Sequence, residues 1–255
     1  MVRAFDVGQG DALLLEGSGG GRLLVDAGPP QAGERLVRAL GGLRVSSLDA
    51  VMATHVDADH VGGIPHLLRS MPVGTLLYHD DDRRDPDWRA VLAAASERNV
   101  PLKQLRAGQR LALGSAVLEV LGPMEDQAGF ESSTNDRSLV ARWECGPASV
   151  LLTGDSGGES EARLLRWGPR LKSDVLKVGH HGSAGSTSVR FLEAVTPEVA
   201  LILCGRNNRY GHPSAETMER LGIRRVPAYR TDRSGMLTVT WPGGAPRVEA
   251  YLRER

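Results

Sequence analysis

The run Leu48–Thr54 (LDAVMAT) is apolar, of strand length, and stops abruptly at His55-Val56-Asp57-Ala58-Asp59-His60. A short apolar run bounded by polar segments reads as a buried β-strand. In an extended segment beyond its end, His55 and Asp57 project to one side. A turn can then aim Asp59 and His60 at a neighbouring point, so one loop offers ligands to two metal ions. Gly62 and Gly63, just after it, allow close backbone packing beneath the loop. A solvated polar loop explains two imidazoles and two carboxylates at this spacing poorly. The pattern requires a fold in which a strand end opens onto a polar site.

Short strands and helices alternate along the rest of the chain, with no long linker or internal repeat. Val2–Val7, Asp11–Glu16 and Arg22–Asp26 read as strands separated by glycine-rich turns, including Gly17–Gly21. Glu34–Leu40 reads as a helix, and Pro65 opens another through Ser70. Leu76–Tyr78 is a predicted strand, HDDDRRDPD a charged, solvated loop, and Trp88–Asn99 a helix. In the second half the predicted strands are Ala116–Leu121, Ser138–Glu144, Ser149–Thr153, Asp174–Val178 and Val199–Cys204. Helices are predicted at Glu159–Trp167, Val189–Val195 and Ser214–Leu221, and two tail strands at Leu237–Trp241 and Val248–Leu252. This order predicts an α/β protein of two β-then-α halves, packed sheet against sheet with helices outside.

Composition bounds the partners. The 255 residues carry 31 Lys+Arg and 31 Asp+Glu, a formal net charge of zero, which excludes a uniformly basic nucleic-acid glove or a polyacidic tail. A local basic patch is not excluded. Hydrophobic residues at 41% and charged ones at 24% exclude a largely disordered chain. Lys103, Lys172 and Lys177 are the only lysines, so arginine supplies nearly all positive charge. Coding bias and phosphate recognition, which suits the guanidinium fork, both account for that skew. Cys145 and Cys204 lack metal-ligand spacing and read as buried free thiols. No apolar run reaches the roughly 18–20 residues that span a bilayer, and MVRAFDVGQGDALLL lacks the layout of a signal peptide. The chain is expected to be soluble, as a small free-standing protein or a domain of a longer one. A length of 255 residues suits one large domain or two small ones, and the whole of 1–255 is expected to form a single one.

Three further constellations carry chemistry. Asp155 follows the apolar strand end Leu151-Leu152-Thr153-Gly154, and beside a metal loop it becomes a candidate bridging ligand. In Asp174-Val175-Leu176-Lys177-Val178-Gly179-His180-His181-Gly182-Ser183, adjacent histidines at a strand end point in different directions. One of them can ligate while the other faces substrate. Gly205-Arg206-Asn207-Asn208-Arg209-Tyr210-Gly211-His212-Pro213-Ser214 is dense in polar groups and leads into a helix N-terminus, so it reads as a phosphate-facing loop. His66 and His79 are set aside, the first on the helix after the metal loop, the second in the acidic loop.

Together these motifs resemble the metallo-β-lactamase superfamily, whose hallmark is an HxHxDH loop, a later Asp and a His after a further strand. The opening Phe5-Asp6-Val7-Gly8-Gln9-Gly10-Asp11-Ala12, with HxDxDH, LLTGD, LKVGHHGS and GRNNRYGHPS, is similar to the metallo-β-lactamase-like domain of the ComEC/Rec2 family, DNA channels of natural transformation. The resemblance runs from Val2 to about Thr240. It implies an αββα sandwich, two mixed β-sheets flanked by helices, with two divalent metal ions, Mn²⁺ or Zn²⁺. Two departures stand out: Asp57 replaces the usual second histidine, and Ser133-Thr134-Asn135-Asp136-Arg137 stands where another histidine is normal. One metal site is then His55, Asp57, Asp155 and Asn135 or Asp136; the other is Asp59, His60, Asp155 and His181. The oxygen-rich first site shifts preference toward manganese.

The implied activity is a metal-dependent nuclease that cleaves DNA, the single strand not taken up, through a metal-activated hydroxide. Asp59, His180, His212 and Lys177 are its expected catalytic residues. Lys177, Arg206, Arg209 and His212 would bind the phosphate or steady charge on the transition state, and His180 or His212 would protonate the leaving oxygen. Asn207, Asn208, Tyr210 and Ser183 complete the expected substrate contacts. Few aromatics (4%) predict a mainly electrostatic, salt-sensitive grip on DNA. The resemblance further implies a monomer, with a membrane channel in the same polypeptide and an extracytoplasmic location if the domain is excised, and a cytoplasmic one if it stands alone. Two other readings are a hydrolase of small phosphodiesters or phosphocholine esters, and a non-catalytic DNA-binding gate with a structural metal.

Overall fold

Val2–Ala4 (β1), Leu13–Glu16 (β2) and Arg22–Val25 (β3) form an antiparallel meander, each a short apolar run closed by glycine turns. The computed structural model describes residues 1–80, 82–124 and 133–252. Three more strands, Ala50–Met52 (β4), Leu76–Tyr78 (β5) and Leu102–Gln104 (β6), add in parallel. The crossovers that parallel pairing requires are Gly33–Gly42 (α1), Ala58–Val61 (α2) with Ile64–Ser70 (α3), and Pro86–Glu97 (α4). Asp85 starts α4 by accepting from the Trp88 N–H at 2.8 Å, with Pro86 at the first helical position.

The second sheet opens antiparallel, through Arg110–Leu113 (β7), Ala116–Gly122 (β8), Val140–Cys145 (β9) and Ala148–Leu152 (β10). It then turns parallel, through Val175–Lys177 (β11), Val199–Ile202 (β12) and Ala228–Arg230 (β13). Gly158–Leu164 (α5), Val189–Val195 (α6) and Ala215–Ile223 (α7) cover its outer face, and Thr231–Ser234 (α8) follows β13. The tail strands Leu237–Thr240 (β14) and Arg247–Ala250 (β15) return to the first sheet, where Val239 pairs with Val2. The orders are β15-β14-β1-β2-β3-β4-β5-β6 and β13-β12-β11-β10-β9-β8-β7.

Period-two alternation builds the layers. Val2, Leu13, Leu15, Leu23 and Val25 face Leu118, Val120, Trp143, Val150 and Leu152 between the sheets. Leu14, Leu24 and Val51 face outward onto Leu36, Leu40, Leu67 and Trp88 of α1, α3 and α4. Leu151, Leu176 and Ala200 face Leu164, Phe191 and Leu221 on the other side. The result is the expected αββα sandwich of two mixed sheets flanked by helices. Among the described residues no helix is long and apolar enough to cross a membrane.

Some expectations are corrected. The two halves are not sequential, because β14 and β15 leave the second half to pair with β1. The helix predicted through Trp167 ends at Leu164, where a tighter turn runs into Gly168 at φ 53 and Pro169. β6, β7 and β13 escaped the sequence reading, since sheet-edge strands lack two-sided burial and show little apolar periodicity. In the loop HDDDRRDPD, Asp81 lies outside the described residues; Asp80 pairs with Arg137, and His79 Nδ1 lies 2.9 Å from Leu105 O.

Candidate metal centre

The C-terminal ends of β4, β10, β11 and β12 meet at one edge of the sandwich, and the opening motif packs beneath them. Gly10 lies at φ +131, where a Cβ would fall 2.1 Å from the Asp59 carbonyl oxygen, so only glycine lets the two backbones approach. The next N–H, of Asp11, donates to that same oxygen at 3.2 Å. The Thr54 carbonyl accepts from Leu139 at 2.8 Å, joining the metal loop to the second sheet.

Each buried imidazole has one nitrogen fixed and the other left free. His60 Nδ1 lies 2.8 Å from Asp26 Oδ2, which also accepts from Thr54 Oγ1 at 2.8 Å, while Asp26 Oδ1 accepts from Thr54 N at 2.9 Å. Because Thr54 Oγ1 gives its proton to Asp26, it accepts from His55 Nδ1 at 3.0 Å. His181 Nδ1 donates to Leu203 O at 2.8 Å. These partners place the protons on Nδ1 and turn the Nε2 lone pairs inward. His60 Nε2 then lies 3.3 Å from Asp155 Oδ1, and His181 Nε2 lies 3.3 Å from both Asp155 Oδ2 and Asp59 Oδ2. His55 Nε2 is 3.7 Å from Asp57 Oδ2, and the His55 and His60 rings are 4.1 Å apart.

His55 Nε2, His60 Nε2, His181 Nε2, Asp155 Oδ1 and Asn135 Oδ1 are all buried without a hydrogen-bond partner. An orphaned buried polar atom costs about 1–3 kcal/mol. Five inward-facing atoms without a hydrogen-bond partner, with Asp155 between the imidazoles, fit divalent cations. His60, Asp155, His181 and Asp59 could hold one, and His55, Asp57 and Asp155, with Asn135 at the rim, another.

Asp11, His60, Asp155 and His181 offer atoms within 4.8 Å of one another. Asp11, however, approaches both imidazoles from the Nδ1 edge, at 3.3 Å from His181 and 3.9 Å from His60, and it ion-pairs with Lys177. It therefore supports the ligands from behind. Lys177 is 1% exposed, donates to Gly154 O at 2.7 Å and lies 3.5 Å from Asp155 Oδ1. The expectation that Lys177 binds phosphate is corrected: β11 is central, buried on both faces, and its lysine cannot reach substrate.

Charge explains the protonation pattern. Burial, reinforced by the neighbouring His60, pushes His55 down to about 3. Burial alone would lower His60 and His181 as well, but Asp155 and the other carboxylates outweigh it and hold both well above the usual histidine range, so without metal each Nε2 keeps a second proton that a bound cation would displace. Burial works against ionised Asp155, yet His181, His60 and Lys177 hold its carboxyl well below the ordinary value.

The other expected residues fall at the mouth. His180 and His181 both adopt left-handed backbone, φ 46 and 53, which turns their rings apart at 70°. His181 points inward; the His180 side chain is 33% exposed, its Nε2 3.4 Å from Asn135 Nδ2 and 3.9 Å from Asp155 Oδ2. Asp136 bonds to Ser133 Oγ at 2.9 Å, leaving Asn135 to face the centre. Arg206, Asn207, Arg209 and Tyr210 are exposed, and Arg206 donates to Asp232 O at 3.2 Å. Asn208 is corrected from substrate contact to loop brace: it bonds Gly205 O, His212 O and His212 N at 3.0, 2.7 and 2.9 Å. Ser183 belongs to the turn after His181, its carbonyl accepting from Thr217 Oγ1 at 2.7 Å and its Oγ from Gly185 N at 3.2 Å. Arg220 braces the same turn through the carbonyls of Ala184, Ser186 and Thr187 at 2.8–3.0 Å.

Asp11, Asp26, Thr54 and Arg220 were missed from sequence. Asp26 carried a usable signal, because RLLVD ends an apolar strand in a carboxylate just as LLTGD does.

A family model described as the metallo-beta-lactamase superfamily matches residues 5–206. The chain is 34% identical over 267 residues to ComE operon protein 3 of Bacillus subtilis (strain 168), covering 98% of this chain and 34% of that protein. It is 32% identical over 238 residues to Competence protein ComA of Neisseria gonorrhoeae, covering 92% of this chain and 31% of that protein. It thus spans about a third of the length of these curated relatives. Among solved structures, the metallo-beta-lactamase fold protein YhfI from Bacillus subtilis superposes with a TM-score of 0.58 at 15% identity, over 90% of this chain and 95% of that one. That likeness is one of fold.

Proposed function

The chain belongs to the metallo-β-lactamase superfamily, and from that premise we propose that its centre holds two divalent cations and hydrolyses phosphodiester bonds in single-stranded DNA. The observation that carries this reading is the set of five orphaned lone pairs around Asp155. A purely structural metal site is closed, whereas here Asp57 and Asp59 stand partly open to solvent, with side chains 37% and 34% exposed. The choice of DNA is supported by the competence names of the relatives.

Bound there, divalent cations would lower the pKa of a water toward neutrality and offset charge on the attacking and leaving oxygens. The protein's own groups do the rest. Asp59 and Asp57 orient the attacking water at the open side. Arg206 and Arg209, exposed on the loop after β12, draw the DNA backbone toward the centre and make binding salt-sensitive. His180 and His212, ring centroids 5.5 Å apart, are the mouth imidazoles outside the ligand set, and one of them gives its proton to the leaving oxygen. The oxygen-rich site built on Asp57 favours manganese over zinc.

The test is metal-stripped protein incubated with labelled single-stranded DNA and Mn²⁺ or Zn²⁺. Mn²⁺-dependent cleavage supports the reading. Turnover of small phosphodiesters without DNA cleavage, or binding without hydrolysis of either, overturns it. Activity restored by Zn²⁺ alone would remove the manganese preference.

A further inference from the structure

Tyr210 is 54% exposed, one of few large apolar side chains at the surface. Its ring stacks on His212 with centroids 5.6 Å apart and planes 20° apart. His212 in turn lies 6.1 Å from His181 at 31°. A stacked pair and a tilted one therefore lead from a buried imidazole of the centre to solvent. Asn208 fixes the middle one by bonding both the N–H and the carbonyl of His212. The Arg209 guanidinium lies over the Tyr210 ring, 4.9 Å from its centre, and donates to its hydroxyl at 2.8 Å, so an incoming base takes the place of that flexible side chain.

An exposed ring held by a braced loop, one ring away from a metal-type centre, has the chemistry that takes up an unpaired nucleobase. Every base has a π-face, and stacking on an aromatic side chain tolerates any sequence. A base in a duplex is already stacked and is not free to lie there. We propose that Tyr210 is the stacking platform for the base next to the reacting phosphate, with Arg209 reaching that nucleotide's phosphate, and that this platform makes the site select single strands. The inference rests on the phosphodiesterase reading above and adds one stacking contact to the mainly electrostatic grip expected from sequence: four tyrosines in the chain are few, but one stands beside the centre.

The test uses labelled single strands with one abasic position moved stepwise past the cleavage point, with Mn²⁺ present. Wild type should lose about 5- to 160-fold in apparent affinity when the missing base is the one beside the cleaved bond, the range for stacking of one base. Tyr210→Ala should lose that position dependence, and Tyr210→Trp should keep it. Equal penalties in wild type and Tyr210→Ala, or no positional penalty in wild type, overturn the platform while leaving the nuclease reading intact. A protein that neither binds nor cleaves intact single strands overturns both.

Discussion

Asp26 is the residue through which the centre's dependence on its supporting shell is best measured. Its carboxylate is fully buried and serves three donors: Thr54 N, Thr54 Oγ1 and His60 Nδ1. Asp26→Asn keeps the shape. The amide oxygen can still accept from Thr54 N, which leaves the NH₂ facing His60 Nδ1. A donor there moves the imidazole proton onto Nε2, the very atom whose lone pair faces Asp155 at 3.3 Å. Loss of such an outer carboxylate typically costs 10–100-fold in metal affinity, or about 1.4–2.7 kcal/mol. The assay is calorimetric titration of metal-stripped wild type and variant with Mn²⁺, with thermal unfolding of both forms run alongside. A variant that binds Mn²⁺ as tightly as wild type, even with a lowered melting temperature, would refute the argument and reduce Asp26 to a packing residue.

Other outcomes follow from the same charges. Lys177→Met leaves Asp11 buried without its partner and should cost about 3–5 kcal/mol. The double variant Lys177→Met/Asp11→Leu should recover part of that loss in urea unfolding, and strictly additive losses would show that the pair is not coupled. In metal-free protein, His60 and His181 have raised values, so their stabilising contribution is complete below the unfolded value of about 6.5 and disappears as pH rises through their folded values. The melting temperature in EDTA should therefore fall as the pH is raised above about 6.5, while Mn²⁺ binding releases protons and tightens. A flat EDTA profile over that window would contradict the protonation pattern.

The metal loop was legible because its donors are neighbours in sequence, and strand alternation alone sets His55 and Asp57 on one side. Asp155 and His181 were legible because each follows an apolar strand. Their supports were hidden by distance along the chain: 34 residues separate Asp26 from His60, and Asp11 meets Lys177 only when the two sheets close. Lys177 itself misled, since a lysine three residues before His180 looks like a phosphate binder until β11 proves central. The outer strands β6, β7 and β13 carried too little apolar periodicity to be seen, and the return of β14 to β1 is a pairing choice that no local pattern encodes.

The central claim is that the lone pairs around Asp155 form a two-cation centre. Counting Mn²⁺ bound per chain, by the loss of the free-ion paramagnetic resonance signal during titration of metal-stripped protein, tests it directly. Two ions per wild-type chain, with binding lost in a folded Asp155→Ala variant, is the predicted result. No tightly bound ion in wild type, or undiminished binding by Asp155→Ala, would contradict it.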